Sequence, residues 1–333
     1  MRQIVFFFLS CVFLFSCEKK ELPVSKREVT VRTGGVSMPG ELIEMQVAMG
    51  SDYKNQIWFS LNHSNVISTN FRTEWDLAFE STSNGYHIML NGSKAMKAYK
   101  TNFSSLAEVN DTAGLGSFGK ADMPSGNLDS TAIGNWLEEN KVYVLHRGYN
   151  EIGQVQGFYK FKVLSVNATQ FTFEYANIKN PQIMQGTVNK DKAYNFRMYS
   201  FTSNQEATTI EPKKDTYDLC FTQYTHYFIE EKMFYQVTGA LINNFNTRAM
   251  RITNKKFTDI TINDTLNRAF SVRRDKIGYD WKEFNLNTNI YKIFPDICYL
   301  ISDSKGFFYK LHFIDFVNSS GTKGYPAFQF QKL

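Results

Sequence analysis

Hydrophobic and polar residues alternate with a period of two along much of this chain. Phe161, Val163 and Ser165 fall on one side of an extended run, and Lys160, Lys162 and Leu164 on the other. That is the pattern of a strand buried on one face. Similar runs are separated by Asn84-Gly85, Asn91-Gly92, Ser125-Gly126-Asn127, Ser304-Lys305-Gly306 and Ser320-Gly321, which are hairpin and loop signals. Thr101–Asn127, rich in Gly, Ser and Asn, predicts a long loop. A short helix is predicted over Ser130–Asn140, capped by Asp129 or Ser130, with Ile133, Trp136 and Leu137 on one face.

The pattern also repeats. Trp75-Asp76-Leu77-Ala78-Phe79 recurs as Tyr217-Asp218-Leu219-Cys220-Phe221, and the strand from Phe158 to Val166 recurs from Phe308 to Phe316. Phe59-Ser60-Leu61 matches Tyr199-Ser200-Phe201. Three blocks in one order at similar offsets argue for duplication of one unit, against the alternative that alternating strands resemble each other by chance. The expected architecture is mainly β: two tandem antiparallel β-rich modules, each with one short helix. The first spans 29–180 and the second 195–333. Between them lies the least patterned connection, from Lys179 to about Asn195.

The N-terminus departs from this pattern. Arg2 precedes the apolar run Ile4–Phe15, and Leu14-Phe15-Ser16-Cys17 closes it before the polar Glu18-Lys19-Lys20-Glu21. The run is too short to span a bilayer. It reads as a lipoprotein export signal over residues 1–16, with Cys17 as the lipidated residue and 17–28 as a tether. The plainer alternative is a secretory signal with a chance cysteine. Several acyl chains on Cys17 would hold the chain at a membrane outside the cytoplasm, which argues against ATP- or NAD-dependent chemistry. Two cysteines remain in strand-like runs, Cys220 and Cys298. In an oxidising compartment they form either a disulfide or two buried thiols.

Composition narrows function further. Aromatic residues make up 16% of the chain and favour pleated, half-buried surfaces. The net charge of +5 is dispersed with no basic block, so nucleic acid is not an expected partner. Gly114-Leu115-Gly116-Ser117-Phe118-Gly119 has the letters of a dinucleotide fingerprint but lacks the strand before and the helix after that phosphate binding needs. No Gly-x-Ser-x-Gly, His-Glu-x-x-His or, after Cys17, Cys-x-x-Cys motif occurs. Glu138-Glu139 and Glu230-Glu231 are adjacent, so their side chains diverge. The chain reads as a non-enzyme. Of the five histidines, His226 is the best ligand candidate, set in Tyr224-Thr225-His226-Tyr227. Met233 and Met250 lie downstream, and a thioether can join an imidazole on haem iron. The competing readings are a structural histidine and core methionines.

These blocks resemble the HmuY family. The resemblance rests on Trp75-Asp76-Leu77-Ala78-Phe79, Trp136-Leu137-Glu138 and the Phe-Tyr-Lys strand. It continues in Tyr235–Asn243, Gly278–Phe284, Tyr299–Phe316 and Gly324–Phe330. It covers roughly residues 55–333. It implies a β-rich, outer-membrane lipoprotein that binds haem between two axial side chains. Such a haemophore takes haem from host or environmental haemoproteins and passes it to a TonB-dependent receptor. Best-known members place a ligand histidine just after the Trp-Leu-Glu-Phe block. Here that neighbourhood reads Glu139-Asn140-Lys141 in the first copy and Asn285-Leu286-Asn287 in the second. The alternative is therefore a non-enzymatic interaction lipoprotein on the same fold that has lost haem ligation.

Overall fold

A computed structural model of the chain describes residues 34–116, 119–180 and 182–333. The export signal, Cys17 and the tether lie outside the described residues. Among the described residues twenty strands follow one another, with short 3-10 turns between some of them. The first ten are β1 (Leu42–Gln46), β2 (Asn55–Ser60), β3 (Asn65–Phe71), β4 (Leu77–Glu80), β5 (Ile88–Leu90), β6 (Lys97–Lys100), β7 (Tyr143–His146), β8 (Phe158–Val166), β9 (Gln170–Asn177) and β10 (Met184–Asn189). The rest are β11 (Phe196–Ser200), β12 (Gln205–Ala207), β13 (Leu219–Phe228), β14 (Met233–Ile242), β15 (Arg248–Ile252), β16 (Lys282–Asn285), β17 (Ile290–Ile293), β18 (Cys298–Ser302), β19 (Phe308–Val317) and β20 (Lys323–Lys332).

The mainly β expectation holds, but the helix over Ser130–Asn140 does not form. A 3-10 turn at Leu128–Ser130 is followed by turns. Gly134 at φ 66° and Asn140 at φ 44° take left-handed backbone that a helix cannot use. Ile133 and Trp136 still reach the core. The connection placed between Lys179 and Asn195 contains a real strand, β10, paired antiparallel with β9.

Two five-stranded sheets run β10-β9-β8-β7-β6 and β1-β20-β19-β18-β15, and two four-stranded sheets run β12-β11-β4-β5 and β3-β2-β13-β14. The orders match pairwise, yet the pairing crosses the expected boundary. β1 and β2 pair with strands of the second half, β10 and β11 with strands of the first, and β3 and β12 follow as edge strands on β2 and β11. The opening strands of each half thus complete the other half's sheets.

The inner strands explain the near-continuous apolar blocks. Ile57, Phe59, Leu219 and Phe221 pack into one core with the β18–β20 aromatics. Leu77 and Phe79 pack into a second core with Phe171, Phe173 and Tyr175. On their opposite faces Trp58, Ala78, Met198 and Cys220 form a third core between the two four-stranded sheets. These strands are thus buried on both faces, and so is the start of β8, where Lys160 is covered and its Nζ donates to the Val109 carbonyl at 2.9 Å.

The exchange is tied at two equivalent joints. Asp76 N–H donates to Tyr199 O at 2.8 Å, and its Oδ2 accepts the Phe201 N–H at 2.7 Å. Asp218 N–H donates to Phe59 O at 2.9 Å, and its Oδ2 accepts the Leu61 N–H at 2.7 Å. Asn91 and Asn243 repeat too, donating through Nδ2 to the Trp75 and Tyr217 carbonyls respectively. The repeated Asp is the residue that fastens each half to the strand borrowed from the other.

Candidate functional site

Strands β13 and β14 are both ten residues long and pair along their whole length. β13 meets β2 only over Leu219–Phe221, so the rest of the hairpin is a two-stranded ribbon. A lone ribbon is marginal in water, and this one is propped. Thr225 Oγ1 donates to Gly92 O at 2.7 Å, and Gln236 Nε2 donates to Ser93 O at 2.6 Å.

Alternation sets Tyr224, His226 and Phe228 on one face of β13. The register places Tyr235 opposite His226 and Met233 opposite Phe228. His226 and Met233 are therefore diagonal neighbours, about 7–8 Å apart at the backbone in such a pair. The segment Arg273–Asp280 covers this face. It is pinned to β14 by reciprocal bonds between Ala240 and Gly278, at 3.0 and 2.9 Å. The approach is so close that a Cβ on Gly239 would stand 2.2 Å from the Gly278 carbonyl oxygen. This segment lays Tyr279 against the imidazole, with ring centroids 5.0 Å apart, and Phe228 stands at the same distance.

His226 differs from the other four histidines. His87 binds Glu80 at 2.6 Å, and His312 uses both ring nitrogens, on Pro295 O and Gln329. His63 meets Ser60, and His146 Nδ1 accepts the Gly148 N–H. Among the described residues no hydrogen bond reaches either nitrogen of His226, and its Nδ1 is buried without a partner. Burial lowers its pKa, against the raising charges of Asp275 and Asp280. The ring is thus neutral near neutral pH, as a metal ligand must be. A ligating imidazole usually donates its second N–H to an acceptor; here that acceptor is missing. The face thus brings together a neutral, uncommitted imidazole, a neighbouring thioether and aromatic rings.

The other sequence candidates separate. Met233 is 47% exposed on the same face as His226. Met250, on β15, packs beside Phe257 and Phe270 against the outer side of the β15–β18 pair, so it does not converge on His226. Cys220 and Cys298 are both free and buried. Cys220 belongs to the core between the four-stranded sheets and Cys298 to the cluster outside β15 and β18, so the disulfide alternative is not realised. Burial pushes the two thiols up to about 12 and about 11. The sequence did not mark Tyr279, Asp275 or Asp280 as site residues, because the chain between β15 and β16 carries no periodic signal; Tyr279 and Asp280 entered only as part of the Gly278–Phe284 block of the family resemblance.

Two larger clefts lie elsewhere. One of about 400 Å³ beside the Trp136 block is lined by Tyr99, Lys100, Lys120, Ile133 and Glu139 among others. One of about 390 Å³ is lined by Lys292, Phe294, Pro295 and Asp296 among others. Neither is lined by a histidine or methionine.

Comparison with known proteins gives one family match. The model of the family described as HmuY protein matches residues 52–330. No curated protein matches the chain. Among solved structures, apo PinO from Porphyromonas gingivitis overlaps with a TM-score of 0.36 at 9% identity, covering 88% of this chain and 97% of its own. A protein from Bacteroides vulgatus ATCC 8482, provisionally described as a HmuY-like haem-binding protein, overlaps with a TM-score of 0.24 at 7% identity, covering 89% and 97%. A provisionally described lipoprotein from Bacteroides fragilis NCTC 9343 overlaps with a TM-score of 0.22 at 15% identity, covering 52% and 88%.

Proposed function

The chain belongs to the HmuY family, and from that premise we propose that it is a haem-binding lipoprotein of the outer membrane. Anchored through Cys17, it takes haem from haemoproteins and passes it to a TonB-dependent receptor. The observation that carries haem binding is the uncommitted, neutral imidazole of His226 on an aromatic face, with the Met233 thioether beside it. His226 and Met233 would hold the iron of a bound haem, supplying an imidazole nitrogen and a soft thioether sulfur. Phe228, Tyr235 and Tyr279 supply apolar surface for a planar ligand.

Haemin titration of residues 18–333 tests this, with spectra recorded in the oxidised and reduced states. A saturable Soret shift at one equivalent, abolished or altered in His226→Ala, supports the assignment. An unchanged spectrum in that variant removes His226. A spectrum like free haemin with folded protein removes haem altogether.

One observation favours a second reading. The stretch after Trp281 and Phe284, where best-known family members carry a ligand histidine, is exposed and holds none: Asn285 ends β16, and Leu286-Asn287 begin the turn to β17. On that reading the chain is a surface lipoprotein that binds a partner through exposed apolar side chains such as Leu286 and Tyr235, and haemin gives no specific spectrum.

A further inference from the structure

The two equivalent joints are built with opposite electrostatics. Asp76 is paired with Arg147, at 2.9 Å from Nη2 to Oδ2 and 3.1 Å from Nε to Oδ1, and with the Lys94 ammonium. All three side chains are almost wholly buried. Arg147 directly follows β7, and Asp303 directly follows β18. β7 and β18 pair in the same way with β6 and β15, Leu145 opposite Ala98 and Ile301 opposite Ala249. Arg147 N–H donates to Gly157 O and Asp303 N–H to Phe307 O, each at 3.0 Å. Asp303 therefore stands where the first joint has its arginine.

The second joint thus sets one buried carboxyl beside another. Asp218 is 6% exposed and Asp303 is 7% exposed. Asp303 is held by the N–H groups of Lys305 and Phe307, both at 2.9 Å, and by the Tyr309 hydroxyl at 3.2 Å. Burial is the main force raising Asp218, the Leu61 N–H opposes it, and the Asp303 charge raises it further, to about 7 in all. The other groups bearing on it are the Asn62 N–H, which lowers it, and Lys305 on the exposed rim, which also lowers it. Tyr309 lies next to both acids and feels both charges. His63, in the same β2–β3 turn, turns its Nδ1 to Ser60.

We propose that the Asp218 joint is a proton-dependent latch on the borrowed β2–β3 segment, closed while the buried Asp218 carboxyl beside Asp303 holds a proton and loosened when Asp218 ionises. The Asp76 joint instead sets two cations beside its carboxylate. An acid whose folded pKa is raised binds its proton more tightly in the folded state. Its stabilisation is full in acid and is lost as pH rises from the unfolded value near 4 to the folded value.

The test is urea unfolding of the mature chain between pH 5 and 7.5, with Asp218→Asn and Asp303→Asn alongside. Across this window the wild-type unfolding constant should rise with pH more steeply than that of either variant, by up to about tenfold per pH unit for one linked proton. Parallel profiles overturn the latch. Should neither variant fold, wild-type protein labelled with ¹³Cγ-aspartate decides. A titration near 7 that moves with the Leu61 amide and leaves the Phe201 amide still supports the proposal; a carboxyl titrating only near 4 overturns it.

Discussion

The Asp76 joint makes a quantitative claim. In Asp76→Asn the side-chain oxygen can still accept the Phe201 N–H, so the geometry of the borrowed strand is kept. What is lost is the negative charge between Lys94 and Arg147, whose side chains are 2% and 6% exposed. Arg147 keeps its bond to Thr202 Oγ1 at 2.8 Å and its place 4.9 Å above the Tyr159 ring, but neither supplies a counter-charge. Removing one partner from a buried ion pair costs about 3–5 kcal/mol, because the charge left behind stays desolvated. The same loss at an exposed pair costs about 1 kcal/mol or less. The expected destabilisation is therefore about 3–5 kcal/mol, read as a shift of the urea midpoint at unchanged m-value. Replacing the whole triad, with Lys94→Met and Arg147→Met added, should recover most of that loss, since apolar groups of similar size often replace a buried ion cluster at little cost. A single-variant cost under about 1 kcal/mol, or a triple variant no better than the single, would refute the reasoning.

Two further expectations are independent of that joint. Cys220 and Cys298, buried with raised pKa values, should resist a thiol reagent in the folded protein and both react in denaturant, and a reductant should leave Tm unchanged; one mole of disulfide per chain would contradict the structure. Lys282 is held down to about 7 by burial, with its ammonium 4.3 Å from the Trp281 ring and 4.6 Å from the Phe316 ring. A lysine depressed in the folded state binds fewer protons there than when unfolded, so its contribution to stability rises with pH between about 7 and its unfolded value near 10.4. Lys282→Met should lack that rise, and identical slopes for wild type and variant over pH 7–10 would exclude a buried amine.

The strands were legible wherever burial was two-sided or alternating, as in Trp75–Phe79 and Phe158–Val166. β10 was not. Of its six residues only Gly186 and Val188 are buried, which leaves too little apolar pattern to announce a strand. The exchange between halves was invisible for a different reason. The repeated blocks keep the same spacing whether a strand pairs within its own half or with the other, because partner choice is a tertiary property. The aspartates repeated in both copies were visible as Trp-Asp-Leu and Tyr-Asp-Leu, yet their role as fasteners appears only once Phe201 and Leu61 are seen to donate to them.

Where two halves share joints and strand orders, the places at which they differ are the places to look for function. The first half's inner hairpin, β4 and β5, has strands of four and three residues; its counterpart, β13 and β14, has ten in each. Packing between the four-stranded sheets uses the part near β2, through Cys220 and Tyr224 on β13 and Val237 and Leu241 on β14. The extension beyond it adds exposed apolar surface at Ile229, Met233 and Tyr235, which folding alone does not call for. A ribbon that exposes such side chains is an aggregation liability unless something covers them. His226 stands on this extension, beyond the length of the first half's shorter hairpin, and among the described residues it is the one histidine with no hydrogen bond to either ring nitrogen. The sequence pointed to His226 through its aromatic flanks, and the asymmetry between the two hairpins gives a separate reason to choose the same residue.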